Sequence, residues 1–176
     1  GSVIADEASS TGTEEGVFRI VEGAFDMTGG SIYCEGTAPA VRVVSSDGVT
    51  ASIAGAAKIE AVNSSAVKIS QSAGRVGMEK SSVTIDGDAR LKGDTYALEI
   101  ENATFDQLPI INIKGGYFAC NSSGLPISDT YFVTYLDAAD TDITPEKVLN
   151  LLKNGDSDGY VSLVDPDSLR GTYTPS

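Results

Sequence analysis

One unit recurs four times along this chain, and it excludes most folds. The windows FDMTGGSIYCEGTAPAVRV, ASIAGAAKIEAVNSSAVKI, VTIDGDARLKGDTYALEI and INIKGGYFACNSSGLPI align on a glycine that follows an alternating apolar segment. The marker glycines are Gly29, Gly55, Gly87 and Gly115, spaced by 26, 32 and 28 residues. Apolar residues then fall into columns. Met27, Ile53, Ile85 and Ile113 precede the glycine, and Ile32, Ile59, Leu91 and Phe118 follow it. A small-residue column holds Cys34, Ala61, Gly93 and Cys120, and a third segment gives Val41/Val43, Val67/Ile69, Leu98/Ile100 and Leu125/Ile127. Phe18/Ile20 reads as the same segment of a preceding partial coil. Spacing of i, i+2 is the period of a strand with one buried face.

A repeat of this length made of short strands predicts an all-β fold: a single parallel β-helix, or β-solenoid, with three strands per coil. Coils stacked at about 4.8 Å place like residues above like, so Ile and Val rows form a continuous core. An uneven period suits a solenoid, because each coil touches only its neighbours and its corners accept insertions. A β-sandwich would need paired antiparallel runs joined by tight turns, and Asp47-Gly48 and Asp86-Gly87 are the nearest candidates for these. The 19 glycines, with many Ser, Thr, Val and Ile, favour turns and strands over helices.

The pattern changes in the last third. Three parts are expected: an N-terminal segment 1–16, solenoid coils over 17–130, and a cap over 131–176. Tyr131 to Leu136 reads as a strand. Thr144-Pro145-Glu146 then opens a short helix, with Thr as N-cap and Pro at the first helical position. Val148, Leu149, Leu151 and Leu152 give it an apolar face, and Gly155 lies just past its end. This helix is the expected cap over the open end of the core. Gly1-Ser2 reads as a cloning remnant, so an export signal is expected to have been removed.

Twelve Lys and Arg face 25 Asp and Glu, a net charge of −13. Phosphate binding needs a basic surface, so nucleic acid is not expected as a partner. No run of 18 apolar residues occurs, so no membrane insertion of this chain is expected.

The segments TGGSIYC and IKGGYFAC each join an alternating strand to Gly-Gly and an apolar or aromatic residue. They resemble the repeats of right-handed parallel β-helix surface proteins of bacteria, which share the pectate-lyase-like fold. The resemblance covers about residues 17–128, and only the Gly29-Gly30 and Gly115-Gly116 turns carry over; Gly55-Ala56 and Gly87-Asp88 depart from them. It implies a right-handed coil and an extracellular or cell-surface protein that adheres to, or binds, polysaccharide. Some relatives are polysaccharide lyases or glycosidases. The expected role is a non-catalytic adhesin or structural stalk. The alternative is a module binding polysaccharide or host or cell-surface glycan, and behind that a polysaccharide lyase or glycosidase.

Candidate sites follow. Cys34 and Cys120 share a column three coils apart, about 14 Å, beyond the roughly 7 Å a disulfide allows between Cα atoms. Two buried thiols are expected. The run 154–165 places Asn154, Asp156, Asp158, Ser162 and Asp165 at positions 1, 3, 5, 9 and 12 of a twelve-residue calcium loop, with Gly159 at 6 and the Tyr160 carbonyl at 7. It resembles EF-hand and dockerin loops, but Asn at 1 and Asp at 12 depart from the usual Asp and bidentate Glu. No cofactor other than Ca²⁺ is expected. Arg19, Arg42 and Lys68 form an outward column, continued by Glu99, that could grip an acidic sugar chain or simply guard a solvated sheet face. Tyr33 points outward and could stack on a sugar ring, and Tyr96, Tyr117, Tyr131 and Tyr135 are further candidates. Asp86 and Asp88 flank a marker glycine but have no acidic counterparts in the other coils. No His exists, so no constellation identifies a reaction and no catalytic residues are assigned.

Overall fold

A computed structural model describes residues 2–5, 16–45, 49–71, 81–101, 110–122, 125–128, 152–154 and 159–163. These residues form a parallel β-solenoid of about three turns, with no helix among them. The strands are β1 (Ser2–Ala5), β2 (Phe18–Ile20), β3 (Ala24–Met27), β4 (Ser31–Cys34), β5 (Val41–Ser45), β6 (Thr50–Ile53), β7 (Lys58–Ala61) and β8 (Val67–Gln71). They continue with β9 (Ser82–Ile85), β10 (Arg90–Gly93), β11 (Leu98–Ile100), β12 (Ile110–Ile113), β13 (Tyr117–Cys120), β14 (Leu152–Asn154) and β15 (Val161–Leu163). Sheet A runs β1-β4-β7-β10-β13-β15-β14, sheet B runs β11-β8-β5-β2, and sheet C runs β12-β9-β6-β3. The chain visits B, C and A once per coil.

The predicted columns are the observed registers. Met27 pairs with Ile53, Ile53 with Ile85, and Ile85 with Ile113. Ile32, Ile59, Leu91 and Phe118 stack in sheet A, and Phe18/Ile20 lies beside Val41/Val43 in sheet B. Ile53, Ile59, Val67, Ile85, Leu91, Leu98 and Phe118 are completely buried. Each such side chain contributes about 1.5–3 kcal/mol relative to exposure. At the N-terminal end, the half-buried rings of Phe18 and Phe25 lie 5.7 Å apart, tilted at 50°, against the first rung of the core.

Corner lengths explain the uneven period. Between sheets C and A the corners are short, at 28–30, 54–57, 86–89 and 114–116. Between sheets B and C they are 21–23, 46–49, 72–81 and 101–109, and here the insertions collect. The two kinds of C-to-A corner also turn differently. In the three-residue Gly-Gly corners the left-handed residue is the second glycine, Gly30 (φ 76°) and Gly116 (φ 94°). In the four-residue corners it is the single glycine, Gly55 (φ 59°) and Gly87 (φ 63°). Only glycine adopts these angles without strain.

Several expectations change. The third segment of the last coil is offset by two residues: Ile127, not Leu125, bridges to Leu98. The A-to-B corner over 121–126 is two residues longer than 94–97, and a shift of two keeps the same side chains inward. Ser2–Ala5, left outside the coils by the sequence pattern, pairs in parallel with Ser31–Cys34. At the other end, Leu152 begins a strand rather than lying on a helix. Strands β14 and β15 form an antiparallel pair, and β15 joins sheet A through Phe118 and Val161. An unpaired edge at β13 offers main-chain groups, and this hairpin satisfies part of that edge. The rest of the predicted helix, residues 144–151, and the predicted strand 131–136 lie outside the described residues.

Cys34 and Cys120 are both thiols. Cys34 is fully buried, with its Sγ 3.4 Å from the Ala38 carbonyl. Cys120, expected to be buried too, is half-buried: in β13 Phe118 and Ala119 are buried in succession, so the alternation breaks before Cys120. Under native conditions a thiol reagent therefore labels Cys120 quickly and Cys34 only as fast as the coil opens. Mass spectrometry of a timed alkylation reads this directly, and equal labelling rates would contradict the assigned faces.

Candidate functional site

The outward face of sheet A gathers the most varied chemistry. Its registers place Ser31, Lys58, Arg90 and Tyr117 in one column, and Tyr33, Glu60, Lys92 and Ala119 in the next. Ser31, Ile32, Tyr33, Lys58 and Glu60 line a surface depression of about 150 Å³. Desolvation raises the pKa of the Tyr33 phenol, and the nearby carboxylates of Glu35 and Glu60 raise it further. The phenol therefore stays neutral at physiological pH and presents a ring face and a hydroxyl. Lys92 Nζ lies 3.8 Å from Glu60, a loose cross-rung pair.

Further along the stack, the Arg90 guanidinium sits 4.9 Å from the ring centroids of both Tyr117 and Tyr160. Tyr160 is buried. This double cation–π contact ties the segment leading into β15 to sheet A, and each such contact is worth about 0.5–2 kcal/mol.

The outward column of sheet B is largely committed to its own coils. Arg42 is buried; its Nε donates to Ser70 Oγ at 2.8 Å, and its guanidinium pairs with Glu101 at 3.2 Å. Lys68 reaches Glu99 at 3.6 Å and Glu101 at 3.2 Å, and Ser65 donates a hydrogen bond to Glu99. Arg19, one rung from Arg42, is exposed. Of the proposed cation ladder, then, two members have carboxylate partners one or two coils away. Glu99 stands in the column read from the sequence, and Glu101, just after β11, does not.

In the 154–165 loop, Asn154 ends β14 and lies opposite Val161, and the Tyr160 ring lies against Arg90. Asp156, Asp158 and Asp165 lie outside the described residues. Among the described residues no three His, Cys, Asp or Glu side chains come together as a metal site. Asp86 and Asp88 are exposed, and Asp86 Oδ1 accepts the Gly87 N–H at 2.7 Å, which fastens its own corner. Among the described residues no helix is long and apolar enough to cross a membrane.

No protein-family profile matches this chain, and no curated protein or solved structure matches it either.

Of the predicted binding residues, the structure leaves Tyr33 in a concave setting and brings Lys58, Glu60, Arg90, Lys92 and Tyr117 to the same face. Those five were legible in the alignment, since KIE, RLK and YFA follow the marker glycine at equivalent positions. The expectation that cations line up in the third segment drew attention to sheet B instead.

Proposed function

We propose that this chain is a non-catalytic β-solenoid module of a secreted or cell-surface protein, of the right-handed parallel β-helix kind carried by bacterial surfaces, acting as an adhesin or structural stalk. The observation that supports this is the parallel register of sheets B and C, and of sheet A from β1 to β13, across successive coils. In such a stack the interstrand hydrogen bonds run along the long axis, so the module is a stiff spacer held by its main chain. Outward charges reinforce it along the same axis, Lys68 to Glu99 and Lys92 to Glu60. Beads coated with the protein are expected to adhere to glycan-coated or host-cell surfaces without altering them. Release of unsaturated or reducing sugars from pectin or mucin glycans would overturn the non-catalytic reading.

The Tyr33 depression favours a second reading, a polysaccharide-binding module working through sheet A. An aromatic face beside a hydroxyl, an ammonium and a carboxylate is the mixture that orients a sugar ring.

A further inference from the structure

The depression at Tyr33 has a size and a charge balance that narrow its ligand. At about 150 Å³ it is a single-ring cavity. Pockets for drug-sized ligands start near ~300 Å³. Four outward side chains on two adjacent rungs frame it: Ser31 opposite Lys58, and Tyr33 opposite Glu60. Tyr33 supplies an aromatic face, and Ser31 both gives and accepts hydrogen bonds. Lys58 only gives, and ionised Glu60 only accepts. A pyranose has an apolar C–H face and a rim of hydroxyls that give and accept, so each of these groups finds a complement on one ring.

Charge decides between a neutral and an acidic sugar. Two cations, Lys58 and Lys92, and two carboxylates, Glu60 and Glu35, stand at the depression, with Lys92 Nζ 3.8 Å from Glu60, so the nearby charges balance. The Glu35 carboxylate is near enough to act on the Tyr33 phenol, so the aromatic end of the depression is negative. The chain as a whole carries −13. A carboxylated or sulfated ring would find no net positive charge at short range and a repelling protein at long range.

We propose that Ser31, Tyr33, Lys58 and Glu60 form a subsite for one neutral pyranose ring, stacked on Tyr33 and hydrogen-bonded across the Lys58/Glu60 pair. This rests on the polysaccharide-binding reading. The surface is wet and shallow, so affinity for a single ring is weak and gains from repetition along a polymer.

The test is a ¹H–¹⁵N titration of the full chain with cellotetraose, mannotetraose and chitotetraose, set against tetragalacturonate, in about 0.15 M salt where long-range charge effects are screened. At least one neutral oligosaccharide is expected to shift the amides of Ser31 to Cys34 and Lys58 to Ala61. Tyr33→Ala is expected to weaken that binding about tenfold or more, the scale of one lost stacking contact. Tyr33→Phe keeps the ring and retains most of the binding; it also guards against a folding defect in Tyr33→Ala. Binding of tetragalacturonate alone, falling with salt, would overturn the neutral assignment while leaving glycan binding in place. Neutral binding indifferent to Tyr33→Ala would move the site elsewhere. No shift with any of the four would remove both the subsite and the reading beneath it.

Discussion

Gly93→Ala is expected to destabilise the solenoid by about 3 kcal/mol or more, while Gly29→Ala changes stability by no more than about 0.5 kcal/mol. Both substitutions add one methyl group to a glycine of the repeat. At Gly93 an added Cβ would lie 1.8 Å from the Tyr96 carbonyl oxygen and 3.0 Å from the Ala66 nitrogen. Both are main-chain atoms, and Ala66 N–H donates to Tyr96 O at 3.2 Å, so the methyl would intrude on the hydrogen bond that stitches one coil to the next. Backbone cannot rotate aside as a side chain does, and moving it breaks register in β10 or in its corner. At Gly29 nothing lies within 4 Å, and its φ is not in the left-handed region. Urea melts of the two variants read the contrast. Equal stability would mean that the A-to-B corner is not packed as described.

That comparison also shows what the repeat made legible. The small column Cys34, Ala61, Gly93, Cys120 was visible as a column, and the stacking of Cys34 on Ala61 and of Gly93 on Cys120 follows it. Its reason was not visible, because it lies in a corner carbonyl rather than in any residue of the motif. The inward Ile, Val and Leu rows were legible for a simpler cause. Burial on a strand repeats every second residue, and four copies of the pattern average away the exceptions. Where only one copy exists, the reading weakened. Leu125/Ile127 had the right parity and a register displaced by two residues, since nothing in the repeat counts the residues in the 121–126 corner. Leu152 has helical spacing with its neighbours, yet main-chain pairing with Leu163 makes it a strand. Local helix preference is a weak prior when a sheet edge needs a partner.

The candidate site was legible only in pieces. Tyr33 was identified by parity alone, outward because Ile32 is inward. The cations beside it were equally available from the alignment, but pairing is a relation between rungs and cannot be read along one strand. For the same reason Arg42 reads as a free charge in the sequence VRV, while in three dimensions Ser70 from the next coil and Glu101 from the one after close around it. A cation buried with those partners serves the fold; losing it leaves Ser70 without its donor, while Glu101 keeps Lys68 at 3.2 Å.

Phe118→Ala is the second large effect, at about 3–5 kcal/mol, the range for removing a fully buried aromatic ring. Phe118 ends the column Ile32, Ile59, Leu91, Phe118 and is completely buried. On its far side β13 pairs with the hairpin, Phe118 opposite Val161, so the ring supports the last parallel rung at the point where the antiparallel cap attaches. A solenoid is close to one-dimensional in its energetics, each coil resting on its neighbours. The loss is therefore expected to be local first. Hydrogen exchange in Phe118→Ala should accelerate in β13 and β15 while β4 and β7 keep most of their protection. The opposite gradient is expected for Ile32→Ala, which removes a buried side chain from the same column three rungs earlier. If both variants instead lose protection uniformly from β4 to β13, the coils unfold as one cooperative unit. The stiffness of the module would then come from whole-stack cooperativity rather than from neighbour-to-neighbour contacts.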